Sequence, residues 1–464
     1  MAVLVGGRDN VVSISAAESL KMLAFSVVWG SWIVVKNAAA RAVSPLWSNC
    51  GGGGGGGGGN GGGGHRNDVD GDDGQTGVGA DDDDAVATAT TAVATAGGPA
   101  ARRAPRDRPP PCLSTTVYGT HSYVKVKGVK FHYVECGDPK GMIVLLLHGF
   151  PSCWISWHHQ IPTLSKHFRV IAVDLKGFGD SDKPSARKSY RVENLVNELS
   201  VFLSMLGVDD NNKCHVIGHD LGALLGWYLV HLWPNCVSKF VAISCPHPNV
   251  HWEYLPPSSF FNKNWICFSQ LPYLPEMDAL QSDLKIINQC YQHLSKTNQS
   301  DDLSYIDAYK YTFSRTEDWT GAINYFRNLP FYRIEPRNSN DSLNKEEDML
   351  QVPCLLITGS KDVSVQMESF IKSTEFLKTS TVRIIDNATH FPHQEQPKVV
   401  NDLLISYLVR VKVVEKELPR QNSSGLVGRM KDIVSSTVQY GNTLKDSVQK
   451  RNILPTTVMT SWQN

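Results

Sequence analysis

Apolar and polar positions follow two alternating patterns along residues 113–413. Uninterrupted apolar runs, such as the one in residues 141–151 (GMIVLLLHGFP), are typical of strands that are buried on both faces. In residues 192–206 the apolar positions recur every three or four residues, which predicts a helix, and residues 154–165 also fit a helix. Residues 122–137 alternate around a glycine and predict a β-hairpin. Strands that alternate with helices predict a parallel sheet with right-handed crossovers.

This alternation stops in residues 251–350, which are rich in aromatic, proline and polar residues, and it resumes in residues 351–413. The sequence therefore predicts an α/β core in two parts, residues 113–250 and 351–413. A mainly helical cap subdomain, residues 251–350, is expected to be inserted after one strand of the core. Ligands of such sheets bind beyond the carboxyl ends of the strands.

The segments outside the core differ from it in composition. Residues 1–20 form an N-terminal segment, and residues 21–43 contain a strongly apolar run. Residues 44–112 include a polyglycine run and an acidic run, and they lack the apolar surface that would offset their ordering entropy, so we expect a disordered linker. Residues 414–464 carry a weak apolar stripe, which predicts a tail that is helical in part.

The apolar run near the N-terminus lies between Lys21 and Lys36. It is shorter than the roughly 20 residues that span a bilayer without tilt, although the alanines beyond Lys36 extend it. Three interpretations follow: a single-pass membrane anchor, a cleaved signal peptide, or an interfacial helix. The anchor predicts a single-pass protein of the endoplasmic reticulum membrane, in an orientation that the flanking charges leave open.

Charge and cysteine content argue against several classes of protein. The chain balances 45 Lys and Arg residues against 45 Asp and Glu residues, so we expect no nucleic-acid partner. Its ten cysteines are scattered and include no C-x-x-C pair and no metal-type spacing. The glycines of residues 51–64 lack the preceding strand and following helix of a phosphate-binding loop. We therefore predict neither a metal nor a cofactor.

The segment HVIGHDLGALLGW, residues 215–227, passes from an apolar strand through a sharp turn that carries Asp220. Asp362 and His390 follow later predicted strands, and the topology places all three at one edge of the sheet. An aspartate at such a turn is either a solvated turn residue or a nucleophile on a tight elbow. The acid and the histidine at the later strand ends favour the nucleophile.

Five motifs resemble the epoxide hydrolase branch of the α/β-hydrolase superfamily in their order and spacing. They are HGFP at 148–151, DLKGFGDSDKP at 174–184, GHDLG at 218–222, GSKD at 359–362 and ATHF at 388–391. The resemblance covers residues 113–413 and is nearest to the membrane-anchored animal epoxide hydrolases of types 4 and 3. It implies an α/β-hydrolase fold with a helical cap, and hydrolysis of small lipophilic epoxides to diols.

The resemblance also implies a role for each candidate residue. Asp220 would attack an epoxide carbon and form an alkyl-enzyme ester. His390 would activate the water that hydrolyses this ester, and Asp362 would orient His390. The backbone N–H groups of Phe150 and Leu221 would form the oxyanion hole.

The cap departs from the family pattern at two positions. Family members donate to the epoxide oxygen from two cap tyrosines, whereas Trp265 and Phe326 stand at the matching positions here. Substitute donors would be Tyr325, Tyr309, Tyr273 or Trp265 itself. The departure leaves three alternatives open: an epoxide hydrolase of weak or altered activity, another α/β-hydrolase reaction such as dehalogenation or ester cleavage, or a non-catalytic ligand-binding member.

Overall fold

The computed structural model describes residues 11–48, 108–259, 261–292, 300–335 and 349–409 of the chain. Its contacts divide the chain into two units, of which one comprises residues 1–30 and 102–464 and the other residues 31–101. The predicted core, residues 113–250 and 351–413, and the predicted cap, residues 251–350, both belong to the first unit. Of the second unit only residues 31–48 are described, and they are helical.

Eight strands form the central sheet, and its middle strands are apolar throughout because both of their faces are covered. Every residue of β4, β6 and β9 is buried. Two short strands, β1 and β8, lie outside the sheet. The strands are β1 (Val11–Ser13), β2 (Thr120–Val126), β3 (Val129–Cys136), β4 (Ile143–Leu147), β5 (Arg169–Val173), β6 (Cys214–His219), β7 (Val237–Ile243), β8 (Tyr332–Ile334), β9 (Cys354–Gly359) and β10 (Ser380–Ile385).

The order and direction of the strands show which strand ends lie together at one edge of the sheet. It is β10-β9-β7-β6-β4-β5-β3-β2. The strands from β10 to β5 are parallel, and β3 and β2 extend the sheet in antiparallel pairing as the predicted hairpin. Because parallel strands share one direction, the carboxyl ends of β4, β6, β7, β9 and β10 lie at the same edge of the sheet.

Helices connect these strands. The predicted apolar stripe of residues 192–206 is the buried face of α4, and nearly every residue of α5 is buried against β6 and β7. The helices outside the insertion are α1 (Ala16–Ser48), α2 (Pro111–Ser114), α3 (Ile161–Leu164), α4 (Val192–Met205), α5 (Leu221–Leu232), α12 (Met367–Ser373), α13 (Pro392–Glu395) and α14 (Pro397–Leu408).

The prediction of one continuous helix over residues 154–165 is wrong. The segment forms a 3-10 turn at Trp154–Trp157 and a separate single helical turn, α3. Pro162 stands in the first turn of α3, where its missing N–H is tolerated. In a helix running from Trp154 its ring would meet the carbonyl group four residues earlier.

The insertion between β7 and β9 is mainly helical, as predicted. A buried ion pair joins Arg327, just after the last helix, to Glu276 of α8 at 2.7 Å. Arg327 also donates to the carbonyl oxygens of Ser269 and Leu271, which ties three segments of the cap together. The helices are α6 (Pro248–His251), α7 (Lys263–Ser269), α8 (Leu274–Ala279), α9 (Lys285–Cys290), α10 (Ser300–Thr312) and α11 (Thr316–Phe326).

The N-terminal strand joins the chain to the end of the cap. In β1, Val11 lies opposite Ile334 and Ser13 opposite Tyr332 of β8, in antiparallel register. The N–H of Ile14 donates to the carbonyl oxygen of Phe331 at 2.7 Å. This pairing connects residues that are more than 300 positions apart in the sequence.

The apolar run of residues 21–43 lies within α1. Across the ranges that the structure describes, no helix combines the length and the apolar character needed to cross a membrane. The single-pass anchor considered for this run, and the endoplasmic reticulum membrane location that depends on it, stay predictions. The predicted linker, residues 44–112, carries helical residues near its two described ends, and the rest of it lies outside the described residues. All of the predicted tail, residues 414–464, also lies outside them.

Two histidines link the hairpin to the loop after β5. His121 Nε2 lies 3.1 Å from the carbonyl oxygen of Thr115, His121 Nδ1 lies 2.9 Å from His132 Nε2, and His132 Nδ1 lies 2.7 Å from Asp174 Oδ2. The carbonyl and the carboxylate only accept, so the two rings must supply three N–H groups. Two neutral imidazoles carry two, and the pair therefore shares one positive charge when all three hydrogen bonds form.

We expect this charge to make folding stability depend on pH. Burial lowers the pKa of His132, but the hydrogen bond and charge of Asp174 outweigh it and raise the pKa above the ordinary value. A histidine whose pKa is higher in the folded than in the unfolded chain stabilises the fold fully below about pH 6.5. This stabilisation is lost as the pH rises through the pKa of the folded state. In urea unfolding, the free-energy advantage of the native chain over His132→Asn should shrink on going from pH 6 to pH 9, by on the order of 1 kcal/mol.

The matched control is His167→Asn, at an exposed histidine. Its unfolding free energy should follow that of the native chain at every pH. An advantage over His132→Asn that grows toward alkaline pH would contradict the shared charge.

Candidate active site

Asp220 stands at a strained turn between β6 and α5. Its φ is +48° and its ψ is −117°, in a region that residues with side chains adopt only under constraint. The flanking glycines make the turn sterically feasible. A Cβ at Gly222 would lie 2.2 Å from the carbonyl oxygen of Leu147, and one at Gly218 would lie 2.5 Å from the Cα of Ala223. The strand, turn and helix thus hold the carboxylate at the carboxyl edge of the sheet.

The loops after β9 and β10 bring the other two predicted residues to the same place. His390 Nδ1 lies 2.9 Å from Asp362 Oδ2, and His390 Nε2 lies 3.4 Å from Asp220 Oδ1. The backbone N–H of Ser364 donates to Asp362 Oδ1 at 2.8 Å and fixes that carboxylate. The imidazole therefore lies between two carboxylates, with one ring nitrogen toward each.

A backbone donor holds the second oxygen of Asp220. The N–H of Phe150 donates to Asp220 Oδ2 at 2.9 Å. The loop that carries Phe150 comes this close to Asp220 because Gly149 has no side chain. A Cβ at Gly149 would lie 2.7 Å from the ring of His219. Leu221, the second predicted oxyanion residue, begins α5, where the first N–H groups have no partner within the helix. Asp220 Oδ1 remains the oxygen that faces His390.

Opposite charges stabilise each other in this group. Burial opposes ionisation of Asp220, but the hydrogen bond and charge of His390 hold the pKa of its carboxyl below the ordinary value. Burial alone would lower the pKa of His390, but the charge of Asp362 and the hydrogen bonds to both carboxylates raise it to about 10. Near neutral pH the resting pair is thus a carboxylate and an imidazolium.

His219 is a positioning residue that the sequence did not single out. Its Nε2–H donates to the carbonyl oxygen of His390 at 2.8 Å. Burial lowers the pKa of His219 to about 4, so the ring is neutral near pH 7. Its place next to Asp220 in the motif was the available signal, but the partner lies 171 positions away.

A cavity of about 850 Å³ opens beside Asp220 and His390. Its apolar wall includes Phe150, Phe261 and Phe326, whose rings pack at centroid distances between 4.9 and 6.1 Å. Polar side chains also reach it, among them His159, His251, Ser258, Gln289, Thr389 and Glu395. An uncharged, largely apolar molecule fits such a lining.

The predicted tyrosine donors lie elsewhere. The Tyr325 hydroxyl is buried and donates to the carbonyl oxygen of Lys176 at 2.9 Å. Tyr309 is fully buried and stacks on Tyr291 at 3.9 Å between ring centroids. Tyr273 is 78% exposed. None of the three is among the residues that line the cavity.

Trp265 and Phe326, the two cap positions singled out in the sequence, contribute aromatic surface. Phe326 lines the cavity, and Trp265 packs behind it at 4.8 Å between ring centroids. Trp265 also packs on Phe150 at 5.8 Å, but it is not itself a lining residue. The cavity wall therefore presents a phenyl ring at position 326.

Within the described ranges, no group of three or more His, Cys, Asp or Glu side chains is placed to hold a metal ion. The absence of a metal and of a cofactor remains a prediction.

Known proteins resemble this chain over the same region. A family profile described as alpha/beta hydrolase fold matches residues 143–397. Epoxide hydrolase 4 of Homo sapiens is 33% identical over 67% of this chain and 85% of that protein, and epoxide hydrolase 3 of Xenopus tropicalis is 31% identical over 67% of this chain and 83% of that protein.

Solved structures agree with these relatives. The crystal structure of an epoxide hydrolase from Vigna radiata has a TM-score of 0.51 and 27% identity, covering 64% of this chain and 100% of its own. Epoxide hydrolase A from Mycobacterium thermoresistibile has a TM-score of 0.51 and 25% identity, covering 63% of this chain and 99% of its own. With the sheet, the elbow and the helical insertion, these matches show that the chain is a hydrolase of the α/β-hydrolase superfamily and belongs to its epoxide hydrolase family.

Proposed function

We propose that this hydrolase opens small lipophilic epoxides to diols through an alkyl ester on Asp220. The observation that carries the proposal is the asymmetric environment of the Asp220 carboxylate. Oδ2 accepts from the N–H of Phe150 at 2.9 Å, while Oδ1 faces His390 Nε2 at 3.4 Å, and Asp220 lines the cavity. One oxygen is thus fixed as the future carbonyl oxygen, and the other is available for attack.

In the first step Asp220 Oδ1 bonds to an epoxide carbon, and the bond from that carbon to the ring oxygen breaks. The electron pair goes to the ring oxygen. Asp220 becomes a neutral ester whose carbonyl oxygen still accepts from Phe150. No base has to activate this nucleophile, because the low pKa of Asp220 keeps it ionised.

Formation of the ester changes the acidity of His390. The Asp220 charge and hydrogen bond are two of the influences that raise its pKa to about 10, and the ester removes both. The imidazolium can then release its proton and become a base. Asp362, at 2.9 Å, keeps Nδ1 protonated and leaves Nε2 to take a proton from water.

In the second step water activated by His390 attacks the ester carbonyl. The developing oxyanion lies at the position of Asp220 Oδ2, where the Phe150 N–H already donates. Cleavage of the bond between the carbonyl carbon and the ester oxygen releases the diol, regenerates the carboxylate and leaves His390 protonated, which is the resting state.

The cavity lining and the relatives support a small lipophilic substrate. Phe150, Phe261 and Phe326 offer apolar surface beside the nucleophile, and the similar proteins named above are epoxide hydrolases.

The test is to trap the ester. The full chain carrying His390→Gln is incubated with styrene oxide and with the epoxide of methyl oleate, and the peptides are analysed by mass spectrometry. We expect the mass of the intact epoxide to accumulate on the peptide that contains Asp220, because attack proceeds and hydrolysis does not. His167→Gln, at an exposed histidine, should form diol and accumulate no adduct.

Two other outcomes would overturn the proposal. Neither adduct nor diol, with epoxide binding retained, would indicate a ligand-binding member without catalysis. Ester cleavage that survives Asp220→Ala would indicate a different hydrolase reaction. A single turnover in oxygen-18 water adds a check, because the ester route labels the Asp220 carboxylate, whereas direct attack of water labels the diol.

A further inference from the structure

Opening of an epoxide needs a partner for its oxygen. The broken bond leaves an alkoxide, which is a poor leaving group unless a hydrogen bond stabilises the developing charge. Tyr325, Tyr309 and Tyr273 do not line the cavity, and Phe326 brings a ring without a donor. The donor therefore has to be sought among the other polar groups around Asp220.

Most polar lining side chains with described contacts are engaged with each other or with the backbone. Thr389 and Glu395 are hydrogen-bonded to each other. Ser258 donates to the carbonyl oxygen of Val363 at 2.9 Å. Gln394 Nε2 lies 3.4 Å from His393 Nε2. These contacts reduce the hydrogen-bonding capacity that the four side chains can offer to a substrate.

His251 is differently placed. It ends α6, the turn of helix that follows β7, and β7 pairs directly with β6, the strand that ends at Asp220. Its half-buried side chain lines the same cavity as Asp220 and His390, and its imidazole interacts electrostatically with both. Among the described residues, the ring of His251 has no hydrogen-bond partner.

We propose that His251 is the catalytic residue that binds the epoxide oxygen, donating an N–H hydrogen bond that stabilises the alkoxide as Asp220 attacks. This inference rests on the proposed function. It assigns to a histidine on the core side of the cavity the task that the family pattern gives to cap tyrosines.

The protonation state of His251 suits a hydrogen-bond donor. Burial lowers the pKa of its imidazole to about 4, so the ring is neutral near pH 7. A neutral imidazole has one N–H to donate and one nitrogen that accepts. Because the ring is not a cation, it does not compete with His390 for the Asp220 carboxylate.

The protons balance without any further reactant. When Asp220 bonds to carbon, the ring oxygen leaves with the electron pair and is held by the His251 N–H. The alkoxide then takes the proton that His390 releases once the Asp220 charge is gone, relayed by cavity water. In the second step His390 regains a proton from the attacking water, so one epoxide and one water give one diol.

The experiment separates the two chemical steps in the full chain. Rapid-quench mass spectrometry with styrene oxide follows formation and decay of the Asp220 ester in the native chain, His251→Phe and His251→Gln. We expect His251→Phe to slow ester formation by about 10²–10³-fold, as removal of one oxyanion donor does, with ester hydrolysis unchanged. His251→Gln retains an N–H donor and should recover most of the loss.

The control is His167→Phe, the same substitution at an exposed histidine, which should leave both rates unchanged. Unchanged ester formation in His251→Phe would overturn the inference, and so would equal slowing of both steps or an equal loss in His251→Gln. Failure of the proposed function looks different, because the native chain itself would then form no ester on Asp220.

Discussion

Replacement of Asp220 by asparagine is expected to lower epoxide hydrolysis by about 10⁴-fold or more. The amide oxygen is a far weaker nucleophile than a carboxylate that His390 and the Phe150 N–H keep ionised. Asparagine also tolerates the positive φ of the elbow, so the turn itself should persist. Diol formation and the mass of the peptide containing residue 220 are the measurements, and no adduct should appear in the His390→Gln background.

The control for this loss is Asp402→Asn, at an exposed position of α14. It removes the same charge and should keep full activity. Unfolding curves of the two variants and the native chain distinguish loss of chemistry from loss of fold. Turnover that persists in Asp220→Asn would mean that another group opens the epoxide.

Replacement of Asp362 by asparagine is expected to slow hydrolysis of the ester by about 10³–10⁴-fold and to affect ester formation much less. Asp362 fixes the proton on His390 Nδ1 at 2.9 Å, and its charge is a leading cause of the raised pKa of the imidazole. Asparagine removes the charge and can present its NH₂ to Nδ1, which favours the wrong tautomer. The ester should therefore accumulate during turnover.

Two measurements check the role of Asp362. Rapid-quench kinetics give the rates of ester formation and hydrolysis separately. Titration of the His390 ring by NMR should show a lower pKa in Asp362→Asn than in the native chain, because the charge of Asp362 raises this pKa. Asp362→Glu keeps the charge and should recover part of the rate, whereas equal slowing of both steps in Asp362→Asn would contradict an orienting role.

The sequence predicted the parts of the fold that local pattern determines. The apolar runs predicted the strands of the parallel sheet, and the hairpin around Gly128 formed as expected. Because each of Asp220, Asp362 and His390 follows the end of a predicted parallel strand, the sequence also predicted that they lie at one edge of the sheet, as they do in the structure. Their catalytic roles remain proposals.

Other features depend on the direction in which a residue faces on its helix and on contacts with residues that are distant in the sequence. Tyr325 and Phe326 are neighbours on α11, and adjacent residues of a helix point about 100° apart. One hydroxyl therefore bonds to the carbonyl oxygen of Lys176, while the next ring lines the cavity. Only the docking of α11 on the core decides which residue takes which place, and the sequence does not contain that information locally.

His251 escaped sequence reasoning for a similar reason. It follows a proline-rich turn and has no motif spacing to Asp220 or His390. Its position depends on the pairing of β7 with β6 and on the single turn of α6. A signal that would have helped is topological: a polar residue just beyond the strand next to the elbow is near the nucleophile in any such sheet.

The pairing of β1 with β8 bears on how this protein should be produced for crystallisation. A shortened gene that starts at the hairpin would remove Val11 and its neighbours. The strand pairing of Tyr332–Ile334 with β1, and the hydrogen bond to the carbonyl oxygen of Phe331, would then be lost. Bare strand edges invite pairing with other molecules and hence aggregation. Expression designs should retain residues 11–14, and a solubility tag is better attached at the C-terminus than fused directly to β1.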